Sequence, residues 1–478
     1  MFVIITLLIS WVVTENPSSS GDLAYQIVVQ GDYLYIAGYD LVPGNLEWRI
    51  EKRNISDGSL VWFQTSNPSP YTDIAYALAV DANYIYVVGT DNTSDGLGTK
   101  WRIEKRNISD GSIVGAPVVE GVGGGEPYSI TADANYIYIA GMDYLVGNEE
   151  WRIEKRNKSD LSLVWFQTSN PTNSTLDWDE AYSITCDATY LYIVGRAGVS
   201  PYVWRIEKRN ISDGALVWAQ PLPSSYYSEA HSVVNDADYL YIAGWDNASG
   251  DAQWRIEKRD KSLGNLIAGW PVYSNPGTSG DEALSITLDD NYLYIAGYQC
   301  LNTDYMWRIE KRNKSNGALV WTQISDPPGS SAYAYSITND ADSLYIAGFD
   351  NSPGTYDAQW RIEQRKKSNG NIGVVEEEFQ LSVPTQPLKV NPNPFSEKLM
   401  IKFQPSSLGA CRKFVVSIKI YDANGRFLRQ WDYETIRLSN QIIWDGTDDF
   451  GRRLPAGIYF VRLESNEFKR IEKVVLLR

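Results

Sequence analysis

The chain has 478 residues, 43% of them hydrophobic and 13% aromatic, a folded composition that excludes a disordered chain. Its net charge is −16, and an acidic surface argues against nucleic acid and anionic membranes as partners. The charge is uneven: residues 391–478 hold 15 Lys and Arg against 10 Asp and Glu, which leaves the rest at net −21.

The opening run, MFVIITLLISWVV, has two readings. Its length suits the apolar core of a signal peptide, but a basic start and a clean small-residue cleavage site are missing. It is too short to span a bilayer as a helix, so no transmembrane span is expected. The second reading comes from alignment within the chain. ISWVVTENPS (Ile9 to Ser18) lines up with LVWFQTSNPS (Leu60 to Ser69), the fourth strand of a repeated unit. Residues 1–20 are therefore an imperfect signal peptide or a ring-closing strand.

Residues 21–378 are built on one phrase. The core WRIE begins at Trp48, Trp101, Trp151, Trp204, Trp254, Trp307 and Trp360, in steps of 53, 50, 53, 50, 53 and 53 residues. A period near fifty suits propeller blades, and the spacing of three or four that helices need is absent. Each unit holds alternating segments rich in Tyr, Ile, Val and Trp, as in YIYIAGMD and EWRIEKRN, which is strand patterning. Turn chemistry separates them: DAN (Asp133 to Asn135) joins the first two strands and NISDG (Asn107 to Gly111) the third and fourth. Four antiparallel strands in seven units predict an all-β fold, a seven-bladed β-propeller of four-stranded blades.

Along Trp-Arg-Ile-Glu-Lys-Arg, alternate side chains face opposite ways. Trp48 and Ile50 are expected to pack on one neighbouring blade, and Arg49, Glu51 and Arg53 to face the other. A residue that appears seven times in a ring is a structural element, not a catalytic one. Asn54, Asn107, Asn157, Asn210 and Asn313 also match the N-x-S pattern, but they are turn residues first, and glycosylation there applies only to a eukaryotic secreted protein.

The two short turns lie on one face of the disc, and the loops that vary lie on the other, which is where a ligand is expected. An acid precedes the innermost strand in six units: Asp22, Asp73, Glu126, Glu180, Glu229 and Glu282, with the offset shifting by one residue. These six either support the backbone at strand starts or ring the channel mouth as a site for a basic ligand or a cation such as calcium. Tyr71, Trp178, Tyr226 and Tyr227 lie in the same loops and would suit stacking on sugar rings. The AGxD pattern is broken in units four and six, at Arg196 and Gln299, so an asymmetric site belongs there.

Catalytic constellations are scarce. The single histidine, His231, stands where other units carry Tyr25, Tyr76 and Tyr182, and Ser-His-Asp or Cys-His chemistry would depend on it alone. Cys186, Cys300 and Cys411 are far apart, without CxxC spacing, so neither a zinc site nor a disulfide framework is expected. No catalytic residue, resident cofactor or metal site is assigned. The Asp-rich DGTDDFG, with Asp445, Asp448 and Asp449, misses the calcium-loop spacing and is expected to be a turn.

QLSVPTQPLKV, with two prolines, is expected to be a linker, taken as 379–390. Strand patterns at KLMIKF, VVSIKIYD, QIIWDG, GIYFVRLES and KRIEKVVLLR follow in about 90 residues, which predicts an immunoglobulin-like β-sandwich over 391–478. The order NPNPF, VSIKIYDANGRFLR, WDGTDDFGRRLPAGIYFVRL and KVVLLR resembles the FlgD-type Ig-like module, which overlaps with the type A sorting domain of the type IX secretion system. That resemblance implies a secreted or outer-surface protein, with the export machinery as one partner. The propeller part also resembles repeat propellers of unknown function in secreted proteins. The leading functional expectation is a binding or adhesion protein for a glycan or an extracellular protein. The alternatives are a lyase or hydrolase acting on polysaccharide and a structural envelope component.

Overall fold

Turns with built-in caps cut each unit into four strands. The computed structural model describes residues 10–16, 18, 21–42, 45–92, 98–121, 123–145, 148–171, 178–221, 225–327, 331–351, 358–372, 388–403, 417–423, 426–431, 441–464 and 469–477. The signal-peptide reading of residues 1–9 and most of the linker lie outside them. In the turn Asn54–Ser59, Gly58 takes φ +73° and the Asp57 carboxylate accepts from the Ser59 N–H at 2.9 Å. In the turn at Asp133, its carboxylate accepts from the N–H groups of Asn135 and Tyr136 at 2.8 and 2.7 Å, an Asx cap that closes the first hairpin.

The strands assemble into seven four-stranded antiparallel sheets. Blade 1 is Leu23–Gln30, Tyr33–Val42, Asn45–Asn54 and Leu60–Ser66, and blades 2 to 6 follow in sequence order. Blade 7 differs. Its first three strands are Ala332–Asn339, Ser343–Asp350 and Gln359–Lys366, and its fourth is the N-terminal Val12–Glu15, antiparallel to Gln359–Lys366. The stretch 371–378 falls largely outside the described residues.

Every junction between blades is made by the repeated hexapeptide. The seven tryptophans are at most 1% exposed. Each indole N–H donates to a carbonyl of the next blade: Trp48 to Thr90, Trp101 to Met142, Trp151 to Arg196, Trp204 to Trp245, Trp254 to Tyr298, Trp307 to Phe349 and Trp360 back to Tyr39, all at 2.9–3.1 Å. The last bond closes the ring. Room for the indole comes from the glycine of AGxD: a Cβ on Gly38 would sit 2.0 Å from the Leu23 carbonyl and 2.8 Å from Trp360.

On the opposite face of the same strand, the glutamate is fully buried between two arginines. In blade 1, Glu51 receives Arg49 and Arg53 at 2.6 Å each, and Glu207 in blade 4 receives Arg205 and Arg209 at 2.6 and 2.7 Å. The first arginine also lies over the tryptophan of the preceding blade, as Arg102 does over Trp48 at 5.9 Å. The second donates to its own hairpin turn, Arg53 to the Gly58 carbonyl at 2.9 Å. In six blades the lysine before the second arginine lies over the tyrosine that opens the second strand, Lys52 over Tyr33 at 4.0 Å, and donates to the turn of the next blade, at the Ile108 carbonyl.

The N-terminal strand completes the seam by the same rules. Trp11 donates to the Ile55 carbonyl at 3.0 Å and packs on Gly58 as Trp62 packs on Gly111. Glu15 pairs with Arg53 at 2.6 Å.

The C-terminal unit, Glu376–Arg478, has a three-stranded sheet of Leu388–Asn391, Leu399–Phe403 and Gln441–Trp444. Its four-stranded sheet holds Phe427–Trp431, Ser417–Asp422, Gly457–Glu464 and Lys469–Leu476. Trp444, Ile401, Ile418, Val461 and Val474 centre its core. The first strand begins at Leu388, inside the stretch expected to be linker, because Leu388 and Val390 alternate onto that core. Asp445 and Asp448 serve turns: Asp445 binds Thr447, and Asp448 accepts from the Phe450 and Arg452 N–H groups.

Trp11→Ala is expected to lower stability by about 3–5 kcal/mol, the range for deleting a buried tryptophan. Chemical denaturation of the full chain checks it, and a change below about 0.5 kcal/mol would mean the seam does not depend on this strand.

Candidate functional site

The innermost strand of every blade carries a β-bulge at the same place. In blade 1 the pairing slips between Ala24 and Gln26, leaving Tyr25 out of the ladder. The same slip leaves Tyr76, Tyr128, Tyr182, His231, Leu284 and Tyr335 unpaired. A bulge re-aims the side chain it releases, and here it brings the released rings together. Tyr335, Tyr25, Tyr76, Tyr128, Tyr182 and His231 form one continuous series, with neighbouring centroids 5.1–5.4 Å apart. Leu284 stands at the seventh position. Burial raises the pKa of the tyrosines in this series, so they stay neutral hydroxyl donors.

The six acids singled out from sequence separate into two groups. Asp22 and Asp73 lie three residues before the bulged residue and are fully buried. Asp22 accepts from the Leu41 N–H, and Asp73 from the Asn92 N–H, at 2.9 Å each. Asp179 and Asp281 do the same for Gly198 and Cys300. These four tie the interblade loop to the second strand. Glu126, Glu180, Glu229 and Glu282 lie one residue nearer the bulge and gather beside the tyrosine series. The Tyr76 hydroxyl donates to Glu126 at 3.1 Å, and the Tyr128 hydroxyl to Glu180 at 3.3 Å. Blades 1, 2 and 7 carry Leu23, Ile74 and Tyr333 at this position, so the carboxylates occupy four consecutive blades.

Arg196 organises that sector. It occupies the variable position of AGxD, where other blades carry Tyr39, Thr90, Met142, Trp245, Tyr298 and Phe349. Its guanidinium bridges Glu180 at 2.7 Å and Glu229 at 2.6 Å, in adjacent blades. Burial pushes the Glu180 carboxyl above its usual range, with Glu229 and Glu126 adding to the effect against Arg196 and Tyr182. Above the ion pairs Arg196 lies 5.1 Å from the Trp178 ring and 4.7 Å from the Tyr202 ring. Those two rings are 6.4 Å apart and 8° from parallel. Tyr202 also meets Tyr227 edge-on at 4.9 Å and Trp245 at 6.4 Å, and the Tyr227 hydroxyl is 2.7 Å from Ser200 Oγ.

Trp178 is 52% exposed and Tyr227 36%, so the platform is open to solvent. Tyr226 is exposed beside it. Tyr71 stands apart, over the loop between blades 1 and 2, where its carbonyl accepts from Asn45 Nδ2 at 2.7 Å. A second aromatic group, Tyr298, Tyr305, Tyr333 and Phe349, lies in blades 6 and 7. Tyr202, Trp245, Tyr298, Tyr305 and Tyr333 were not singled out from sequence. The signal for Trp245 and Tyr298 was the variable letter of AGxD.

His231 Nε2 lies 3.5 Å from Glu229 and 3.6 Å from Glu282. Burial works against its charge, but Glu282 and Glu229 outweigh it and the imidazole pKa is raised. Among the described residues, no three His, Cys, Asp or Glu side chains form a metal-binding group.

The fold is a seven-bladed propeller followed by a separate C-terminal unit. Residues 389–477 match the model of the secretion system C-terminal sorting domain, which places the protein outside the cell or on its outer surface. No helix among the described residues is long and apolar enough to cross a membrane. No curated protein matches the sequence. Quinohemoprotein alcohol dehydrogenase from Comamonas testosteroni is 10% identical, with 74% of this chain and 76% of that chain covered and a TM-score of 0.44. A europium-containing methanol dehydrogenase is 10% identical, covering 68% and 72%, with a TM-score of 0.42. Sqt1 from Chaetomium thermophilum is 11% identical, covering 76% and 87%, with a TM-score of 0.44. At these levels the likenesses carry no functional argument.

His231 is the chain's single histidine, so its imidazole can be followed by NMR without assignment. It is expected to titrate above the usual 6.5. Its stabilising contribution is then full below the unfolded pKa of about 6.5 and lost as pH rises through the folded value. Glu282→Gln is expected to lower the titration midpoint, and an unchanged midpoint would show that the carboxylate does not act on the ring.

Proposed function

We propose that this is a secreted, non-catalytic carbohydrate-binding protein, with the ligand seated on the aromatic platform at the channel mouth. The observation that carries the reading is Trp178: a half-exposed indole, held nearly parallel to Tyr202 over a buried ionic base. Rigid exposed rings with polar edges suit the faces of sugar rings, which present C–H groups on one side and hydroxyls around the rim. Glu126 and Glu229 supply acceptors nearby, and Ser200 and Tyr227 supply hydroxyls.

The carboxylates favour binding over acid–base chemistry. Glycoside hydrolysis needs one carboxyl to deliver a proton while another acts on the sugar or a water. Glu180 has both oxygens engaged, by Tyr128 on one and by Tyr182 and Arg196 on the other, and Arg196 also holds Glu229. Two groups locked to a shared guanidinium are poorly placed to exchange protons with a substrate. The same compensation by Arg196 and the tyrosine hydroxyls means that the seat calls for no metal ion.

Isothermal titration of the full chain with cello-, malto- and N-acetylchito-hexaose and with polyuronates tests the reading. At least one is expected to bind without turnover, with an affinity unchanged by chelator. Trp178→Ala is expected to weaken that affinity at least tenfold, about 1.4 kcal/mol, with little change in Tm. Binding by none of them would move the role to a protein partner or a structural one, and release of shortened sugars would overturn the non-catalytic reading.

A further inference from the structure

Seven blades share one frame, yet the platform that holds Trp178 stands in one sector. Arg196 distinguishes that sector. It is the only cation at the variable position of AGxD, since the other six residues are Tyr39, Thr90, Met142, Trp245, Tyr298 and Phe349. Its neighbour Ala197 replaces the aspartate that pairs with the first hexapeptide arginine in five other blades, as Asp143 pairs with Arg152 and Asp246 with Arg255, while Gln299 takes that place in blade 6. Arg196 is therefore a departure from the frame, with its charge turned to the channel side.

Its contacts run in two directions. Below, the guanidinium spans Glu180 and Glu229, so one planar group is fixed at both ends across a blade junction. Above, it meets Trp178 and Tyr202, and lies 5.8 Å from Tyr182 of the channel series. A guanidinium stacks on aromatic faces and forks onto carboxylates together, which the point charge of an ammonium cannot do. Trp178 is half exposed and sits in an interblade loop, where rigid placement must come from such contacts.

We infer that Arg196 is the positioning residue of the binding site: through its plane it holds Trp178 and Tyr202 as one rigid platform, which gives the protein a single ligand seat in the sector of blades 4 and 5. This rests on the carbohydrate-binding reading for the ligand but not for the positioning itself. It also gives the seat a charge preference. Arg196 is held by two glutamates, with Glu126 and Glu282 in the neighbouring blades, so uncharged sugars are favoured over uronates or sulfated glycans.

The test uses the full chain labelled with 5-fluorotryptophan and the variants Arg196→Lys, Trp178→Phe and Tyr305→Ala. The resonance absent from Trp178→Phe reports Trp178 in the ligand-free protein. Arg196→Lys keeps the charge, so a residue that only neutralised Glu180 and Glu229 would be replaced by it. Positioning through the plane predicts that the Trp178 resonance moves toward its unfolded position in Arg196→Lys while Tm holds within a few degrees. An unmoved resonance overturns the inference, whatever the ligand. With any neutral hexasaccharide that binds, Arg196→Lys is expected to lose at least fivefold in affinity, Tyr305→Ala less than twofold, and the stoichiometry is expected to be one per chain. A larger loss in Tyr305→Ala, tighter binding of polyuronate or several sites per chain would also overturn it. If no sugar binds, the carbohydrate reading fails while the resonance still decides the role of Arg196.

Discussion

Everything in the propeller rests on a carboxylate with no water around it. At each of seven junctions a fully buried glutamate is held by two arginines of its own strand. Removing three charges from water costs several kcal/mol per ion before their attraction is counted. The arrangement holds because each oxygen of the glutamate receives one of the two arginines, as Oε1 and Oε2 of Glu51 do. The first arginine is covered by a tryptophan from the preceding blade, and the second is anchored on its own turn. The outer strand of the preceding blade adds a further group to four of these glutamates, as Ser66 does to Glu104 and Ser169 to Glu207. The hexapeptide is kept in all seven blades but for Gln364 in place of lysine, because its tryptophan and first arginine reach a neighbouring blade while its glutamate and second arginine bind their own strand and turn.

That rigidity explains why the other face can vary. Once the third strands, hairpin turns and indoles fix the blade spacing, the remaining loops are tied to the frame chiefly at their ends, by buried aspartates such as Asp73 and Asp179. The bulge in each innermost strand is the link between frame and site. It releases one side chain per blade, and six of the seven are aromatic rings in contact. The carboxylates beside them are confined to blades 3 to 6, and Arg196 couples two of them to the exposed indole. A seven-fold scaffold thus acquires a single asymmetric sector through a few side chains, with no change in backbone plan.

Much of the frame was legible because it repeats. The period, the strand alternation and the two-faced hexapeptide can be read from WRIEKR alone, and Trp11 could be aligned with Trp62 because both precede the same turn chemistry. The site was less legible for physical reasons. Asp73 and Glu126 look equivalent in sequence, but a one-residue step along a strand reverses the side chain. One supports a loop and the other faces the tyrosine series. The bulge leaves no mark in the alternation, so Tyr25, Tyr76 and Tyr182 were seen only as a substitution pattern around His231 and not as a ring. Arg196 stood out as a broken pattern, but its partner Glu229 lies in the next blade. In the C-terminal sandwich, Leu388–Asn391 was masked by the prolines before it.

The central claim is that the seven-fold phrase is a fastener and not a site. Equilibrium unfolding of Glu207→Gln tests it most directly, because the substitution keeps the shape and removes only the charge that Arg205 and Arg209 share. The account predicts a loss of about 3–5 kcal/mol, the range for stranding one side of a buried ion pair, with ligand affinity of the folded protein unchanged. A variant as stable as the parent, or one that folds equally well and loses its ligand, would contradict it.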